Sequence, residues 1–218
     1  MKKIVGVLLV TCLCFAASSA FGEVIGPLSQ KDGLLLGVGY ATSNRVEQDH
    51  EKYFKSDQLY GSVEYTSKGW QPYLRLGYTD LEINNFRDSE RAFGTLGLKK
   101  ALYQKNKWTA GAFGQISLFQ NLKDQKMGMM VMVKDLKEAK MGALGQYTIG
   151  RVEVYAGPFY NWLDGKVVST SCSLNVKADD DVGGLAGVVV DLGKNFGLNV
   201  EVQQTSKTSI ATALTYRF

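Results

Sequence analysis

Three features of the sequence predict an all-β chain, folded as an antiparallel, up-and-down transmembrane β-barrel of ten strands. Apolar and polar residues alternate with period two along almost all of residues 34–218, as strands with two unlike faces require. The breaks between the alternating segments are themselves alternately short and long. The segments run for roughly 8–12 residues, the length of a tilted strand that spans a bilayer. An eight-stranded barrel with an extra surface hairpin is the alternative reading of the same pattern.

Each segment follows from its own alternation. Leu34, Leu36, Val38 and Tyr40 oppose Gly37, Gly39 and Ala41, and Leu59, Val63 and Tyr65 oppose Tyr60, Ser62 and Glu64. Leu74, Leu76 and Tyr78 then stand against Tyr73, Arg75 and Gly77, and Leu96 and Leu98 against Phe93, Thr95 and Lys99. Trp108, Ile116 and Leu118 oppose Thr109, Phe113 and Gln115, while Met141, Tyr147 and Ile149 oppose Lys140, Leu144 and Gln146. Val152, Val154, Tyr160 and Trp162 face away from Glu153, Tyr155 and Asn161; residues 182–192 and 196–204 repeat the pattern, and 210–218 close the chain. One face is aliphatic, with aromatics near the segment ends. The other carries Gly, Ser, Thr, Gln and charge, which suits lipid outside and a polar interior.

The breaks at 67–69, 100–107, 150–151 and 193–195 are mostly short, and those at 43–57, 82–90, 119–138 and 163–180 are long and polar. The break at 205–207 is short where a long one is due. Segregation of turns to one side and loops to the other is a property of membrane barrels. An even strand number leaves both termini on the turn side. Trp70, Tyr73 and Trp108 lie toward the turns, and Tyr40, Tyr60, Tyr78, Tyr160 and Trp162 toward the loops; their outward-facing members are candidates for interfacial girdles.

Residues 1–20 read as a cleaved signal peptide: Lys2 and Lys3, an apolar stretch from Ile4 to Ala17, then Ser18-Ser19-Ala20. The barrel domain is then 21–218, and the protein is exported. Cleavage would remove two of the three Cys and leave Cys172, so no internal disulfide is expected. With 25 Lys+Arg against 21 Asp+Glu, the net charge of +4 is too small to suggest a nucleic-acid partner.

The chain ends Thr-Ala-Leu-Thr-Tyr-Arg-Phe, with Leu214, Tyr216 and Phe218 on one face. This resembles the C-terminal assembly signal of bacterial outer-membrane barrels. Segments such as YLRLGYTDLEI and GAFGQISLF make the whole mature chain resemble the small OmpA-like and OmpX-like barrels. That resemblance implies the outer membrane of a Gram-negative-type bacterium, with lipid and lipopolysaccharide as surroundings. It also implies the barrel assembly machinery as a partner of the C-terminal strand. Those families have eight strands, against the ten read here.

The resemblance also raises enzymes, since omptin-like proteases, lipid A deacylases, palmitoyltransferases and phospholipases are barrels that rely on a His. His50 is the only His, beside Asp49 in the first long break, and neither the omptin nor the deacylase pattern occurs. A non-enzymatic protein is expected, and no cofactor. Asp179, Asp180 and Asp181 read as a solvated acidic loop rather than a cation site. Met127, Met129, Met130 and Met132 form an apolar patch in the third long break, read as an outward hairpin or, alternatively, a contact surface.

Strand parity points Glu64, Arg75, Lys99, Lys140, Glu153, Asp191, Glu201 and Arg217 into the lumen. Charges there need partners, because an isolated buried charge is costly. They fit either a salt-bridged network that fills the barrel or a narrow water path. Ten strands lie nearer the filled end of the barrel series. Inward Gly37, Gly39, Gly77, Gly97, Gly111 and Gly157 suggest spare room instead. The expected function is envelope integrity or adhesion through external loops, with a passive pore as the second reading and a surface hydrolase as the third.

Overall fold

The computed structural model describes residues 24–29, 31–46, 53–83, 86–126, 129–169, 173–177, 182–205 and 208–218. Twelve strands follow in order: β1 (Gly33–Val46), β2 (Tyr53–Thr66), β3 (Trp70–Ile83), β4 (Phe86–Lys105), β5 (Trp108–Phe119), β6 (Leu122–Lys126), β7 (Met129–Ile149), β8 (Val152–Ser169), β9 (Ser173–Lys177), β10 (Val182–Gly193), β11 (Phe196–Gln204) and β12 (Thr208–Arg217). Ten of them close a barrel in the order β7-β5-β4-β3-β2-β1-β12-β11-β10-β8, with β8 returning to β7. Every neighbouring pair is antiparallel. Closure leaves no unpaired sheet edge within the wall, the condition for strands to cross a bilayer.

The two remaining strands stand above the barrel. β7 pairs with β5 through Leu118↔Lys137 and then with β6 from Leu122↔Val133. In the same way β8 leaves β10 after Val182↔Tyr160 and pairs with β9 from Asp164↔Lys177. A four-stranded sheet, β6-β7-β8-β9, therefore projects from the loop end. The long polar breaks at 119–138 and 163–180 are thus largely strand. The methionine patch, read as loop, lies on β7 from Met129 to Met132, paired with β6 and, at Met132, also with β8; Met127 falls outside the described residues. His50, Cys172, Asp179, Asp180 and Asp181, and the expected signal peptide at 1–20, also fall outside them.

The turn end is tight. Lys68-Gly69, Asn106-Lys107, Gly150-Arg151 and Lys194-Asn195 each connect two wall strands. Lys68 and Gly69 both have positive φ (49° and 77°), the two-residue geometry whose twist matches the flanking strands. The break read at 100–107 shrinks to two residues, because β4 continues to Lys105 through a bulge between Ala101 and Tyr103. The bulge puts Leu102 and Tyr103 side by side on the outside, which interrupts the period-two signal.

Outside, aliphatic side chains such as Leu76, Leu96, Ile116 and Leu118 form an exposed belt. Trp70 and Trp108 border it at the turn end, and Tyr40, Tyr78, Tyr160 and Trp162 toward the loop end. An apolar exterior around a polar interior inverts a water-soluble protein and fits a bilayer. Tyr60 and Tyr73, 2% and 3% exposed, point inward instead.

Candidate functional site: a filled lumen

Glu64, Arg75, Lys99, Lys140 and Glu201 are all buried inside the barrel. Lys99 Nζ lies 2.8 Å from Glu64 Oε2, and Lys140 Nζ lies 3.3 Å from Glu138 Oε2 and donates to Gln203 Oε1 at 3.1 Å. Gln203 Nε2 donates to Glu201 Oε1 (2.6 Å), whose other oxygen accepts from the Tyr155 hydroxyl (2.7 Å). The Arg75 guanidinium sits over the Tyr73 ring, 4.3 Å from its centroid, and Tyr73 donates to Gln115 Oε1 at 2.7 Å. Charge of both signs is thereby held in hydrogen-bonded groups, which offsets much of the cost of burying it.

The other three candidates stand nearer the turn-end mouth. Glu153 accepts from Gln146 Nε2 at 3.1 Å, and Arg217 donates to Ser29 Oγ and to the Lys31 carbonyl at 2.9 and 3.0 Å. Asp191 is exposed and accepts from the Gly193 N–H.

The network's centre is a segment with no periodicity to announce it. Residues 24–29 enter the lumen ahead of β1, and Ile25 and Leu28 are completely buried. The Ile25 and Gly26 N–H groups both donate to the Glu201 carboxylate, at 2.9 Å each. Leu28 N–H donates to Gln146 Oε1 (2.8 Å); Ser29 exchanges two bonds with the Gln71 amide (2.9 and 3.1 Å). Lys99 Nζ donates to the carbonyls of Ile25 and Pro27, and Val24 N–H donates to the Tyr60 hydroxyl. Its sequence, Val-Ile-Gly-Pro-Leu, sets apolar residues around a Gly-Pro step outside any strand, a composition without a period.

Apolar contacts close the lumen at two levels. Ile25 and Leu28 pack with Phe113, Leu144, Tyr155, Phe159 and Leu185. Val24 joins a second cluster toward the loops with Tyr60, Phe93, Phe119, Leu136 and Leu163, in which Phe93 and Phe119 stack at 5.8 Å.

The inward glycines do not leave spare room. Tyr60 lies across Gly39, Tyr73 across Gly97 and Tyr155 across Gly187, each on the neighbouring strand, so that a Cβ at these glycines would fall within 2.1–2.4 Å of a ring carbon. A Cβ on Gly111 would meet Leu28 and the Lys100 carbonyl. These glycines admit the filling. A cavity of about 550 Å³ lies beside the segment and reaches a mouth lined by Lys31, Arg151, Glu153, Asp191 and Arg217. Among the described residues no cluster of His, Cys, Asp and Glu could hold a metal ion.

Leu214 and Tyr216 lie on the last strand and Phe218 directly follows it, with Leu214 and Phe218 exposed on the outside. Tyr216 packs edge-on against Phe196 and Phe218 (4.9 and 4.8 Å). Register runs Leu36↔Tyr216 and Val38↔Leu214, so this strand meets β1 to close the wall.

No protein-family model matches the sequence, and no curated protein does either. Solved structures do match in fold. The translocator domain of the autotransporter NalP from Neisseria meningitidis aligns over 88% of this chain and 91% of its own, at 13% identity and a TM-score of 0.58. An outer-membrane channel from Pseudomonas putida F1 aligns over 91% and 100%, at 10% identity and a TM-score of 0.54. The outer membrane protease OmpT from Escherichia coli aligns over 88% and 99%, at 11% identity and a TM-score of 0.50. Fold, apolar belt and polar interior together make this chain a transmembrane barrel of the bacterial outer membrane.

Proposed function

We propose that this protein is a closed, non-enzymatic outer-membrane barrel that acts through its external hairpins, in envelope integrity or adhesion, and not as a pore. The observation that carries the reading is the lumen filled by residues 24–29, with Glu201, Gln146, Gln71 and Lys99 holding their main chain. A channel gains nothing from such a seal. The β6-β7-β8-β9 sheet continues beyond the ten-stranded wall at the loop end and offers the surface for contact. Outer-membrane lipid and lipopolysaccharide are its expected surroundings. The non-enzymatic part rests on a sequence whose only His, His50, stands beside Asp49 in the first long break and fits neither the omptin nor the deacylase pattern.

The test is a planar bilayer. The mature chain should insert, as judged by heat-modifiable migration of the reconstituted sample, and carry no unitary current across a salt series. Stable steps whose size changes in Arg75→Ala or Glu153→Ala would overturn the reading in favour of a pore.

A further inference from the structure

The wall reads the main chain of residues 24–29. The N–H groups of Val24, Ile25, Gly26, Leu28 and Ser29 are all taken by side chains of the barrel, and Pro27 brings no N–H to satisfy. The carbonyls of Ile25, Pro27 and Ser29 accept from Lys99 and Gln71. Side-chain selection is narrow by comparison. Ile25 and Leu28 fill apolar sockets, and Gly26 has φ +78°, which a residue with a Cβ adopts only under strain.

None of these contacts needs the segment to be covalently continuous with β1. The cavity beside it runs on to the turn-end mouth, while Val24 abuts the aromatic cluster on the other side. The access route is therefore from the turn end, where β1 begins and β12 ends.

We infer that the lumen is a peptide-binding site for an extended segment of the pattern apolar-Gly-Pro-apolar. The chain's own Val24–Ser29 occupies it in cis, and a separate peptide of that pattern occupies it in trans once the cis segment is removed. The inference rests on the closed-lumen reading and extends it from a plug to a receptor: polar wall groups already placed for a main chain need no rearrangement to take a second one.

The experiment uses the mature chain without residues 21–29, refolded in detergent and checked by heat-modifiable migration. A fluorescent hexapeptide, Val-Ile-Gly-Pro-Leu-Ser, is titrated by anisotropy. Saturable binding is expected, at least tenfold weaker to the intact chain, whose own segment competes. It should also be at least tenfold weaker for a peptide with Ala in place of Gly, and for the shortened chain carrying Glu201→Gln. A folded shortened barrel that binds no peptide, or that binds it no better than the intact chain does, would overturn the inference.

Where the deletion does not refold, the full chain with Ile25→Asp and Leu28→Asp expels its segment and keeps every wall residue, with the same outcomes expected. Conductance separates the two readings. A shortened barrel that conducts but is neither bound nor blocked by peptide overturns the receptor and leaves the plug standing. One that binds peptide yet is silent with and without it overturns the plug and leaves the receptor.

Discussion

At the scale of the residue, the lumen is organised by pairing of bulk with absence of bulk. Tyr73 lies across Gly97 on the next strand, and Tyr60 across Gly39, so each ring occupies volume that any larger residue would claim. Gly97→Ala should destabilise the barrel by about 1–3 kcal/mol, the usual cost of overpacking, read as a lower urea midpoint in lipid vesicles. Gly61, whose Cβ would meet nothing closer than a carbonyl at 4.0 Å, is the control: Gly61→Ala should leave the midpoint nearly unchanged. The buried pair makes a second prediction. Lys99→Met strands the Glu64 carboxylate and releases two carbonyls of the lumen segment. A loss of roughly 3–5 kcal/mol is expected for a broken buried pair. Glu64→Gln should cost less, because the ammonium keeps the Ile25 and Pro27 carbonyls; an equal loss would show that Glu64 is its essential partner.

At the scale of the element, legibility follows environment. Where lipid touches one face and the lumen the other, alternation is forced, and the ten wall strands can be read from residues such as Leu96 and Lys99 or Ile116 and Gln115. Beyond the ten-stranded wall, lipid and lumen no longer force alternation, and the upper part of β7, with β6 and β9, lies in breaks that look like loops. Leu102 and Tyr103 hide the end of β4 for another reason, since a bulge shifts the phase. Residues 24–29 were illegible because their structure is set by wall side chains and not by any period of their own. Parity groups charges on one face but does not pair them, since Lys99, Glu64 and Glu201 come from three separate strands. The last strand carries its own prediction. Leu214 and Phe218 face outward and contribute nothing to the lumen, so removing Phe218 should slow insertion into membranes in cells by several-fold while the chain refolded in detergent keeps its heat-modifiable form. Equal insertion in cells would show that the terminal aromatic is only interfacial packing.

At the scale of the whole molecule, the barrel has two unlike ends separated by a seal. The turn end opens through a charged mouth onto a cavity, whereas the loop end is shut by Tyr60, Phe93, Phe119, Leu136 and Leu163 above Val24. Polar filling alone would leave room for water between hydrogen-bonded groups. An apolar layer across the same lumen is what makes a water path costly, because no water crossing it finds partners. The seal thus depends on both levels: the lower network holds residues 24–29 in place, and that placement presents Val24 to the upper cluster. Thiol accessibility tests this asymmetry in the Cys172→Ser background. Lys31→Cys, exposed at the mouth, should react with a membrane-impermeant maleimide only after the outer membrane is permeabilised. Val24→Cys should stay unlabelled in intact cells, and Glu201→Gln, which weakens the hold on Ile25 and Gly26, should raise its labelling from the turn end first. Labelling of Val24→Cys from the medium with Glu201 intact would mean the aromatic layer does not close the lumen.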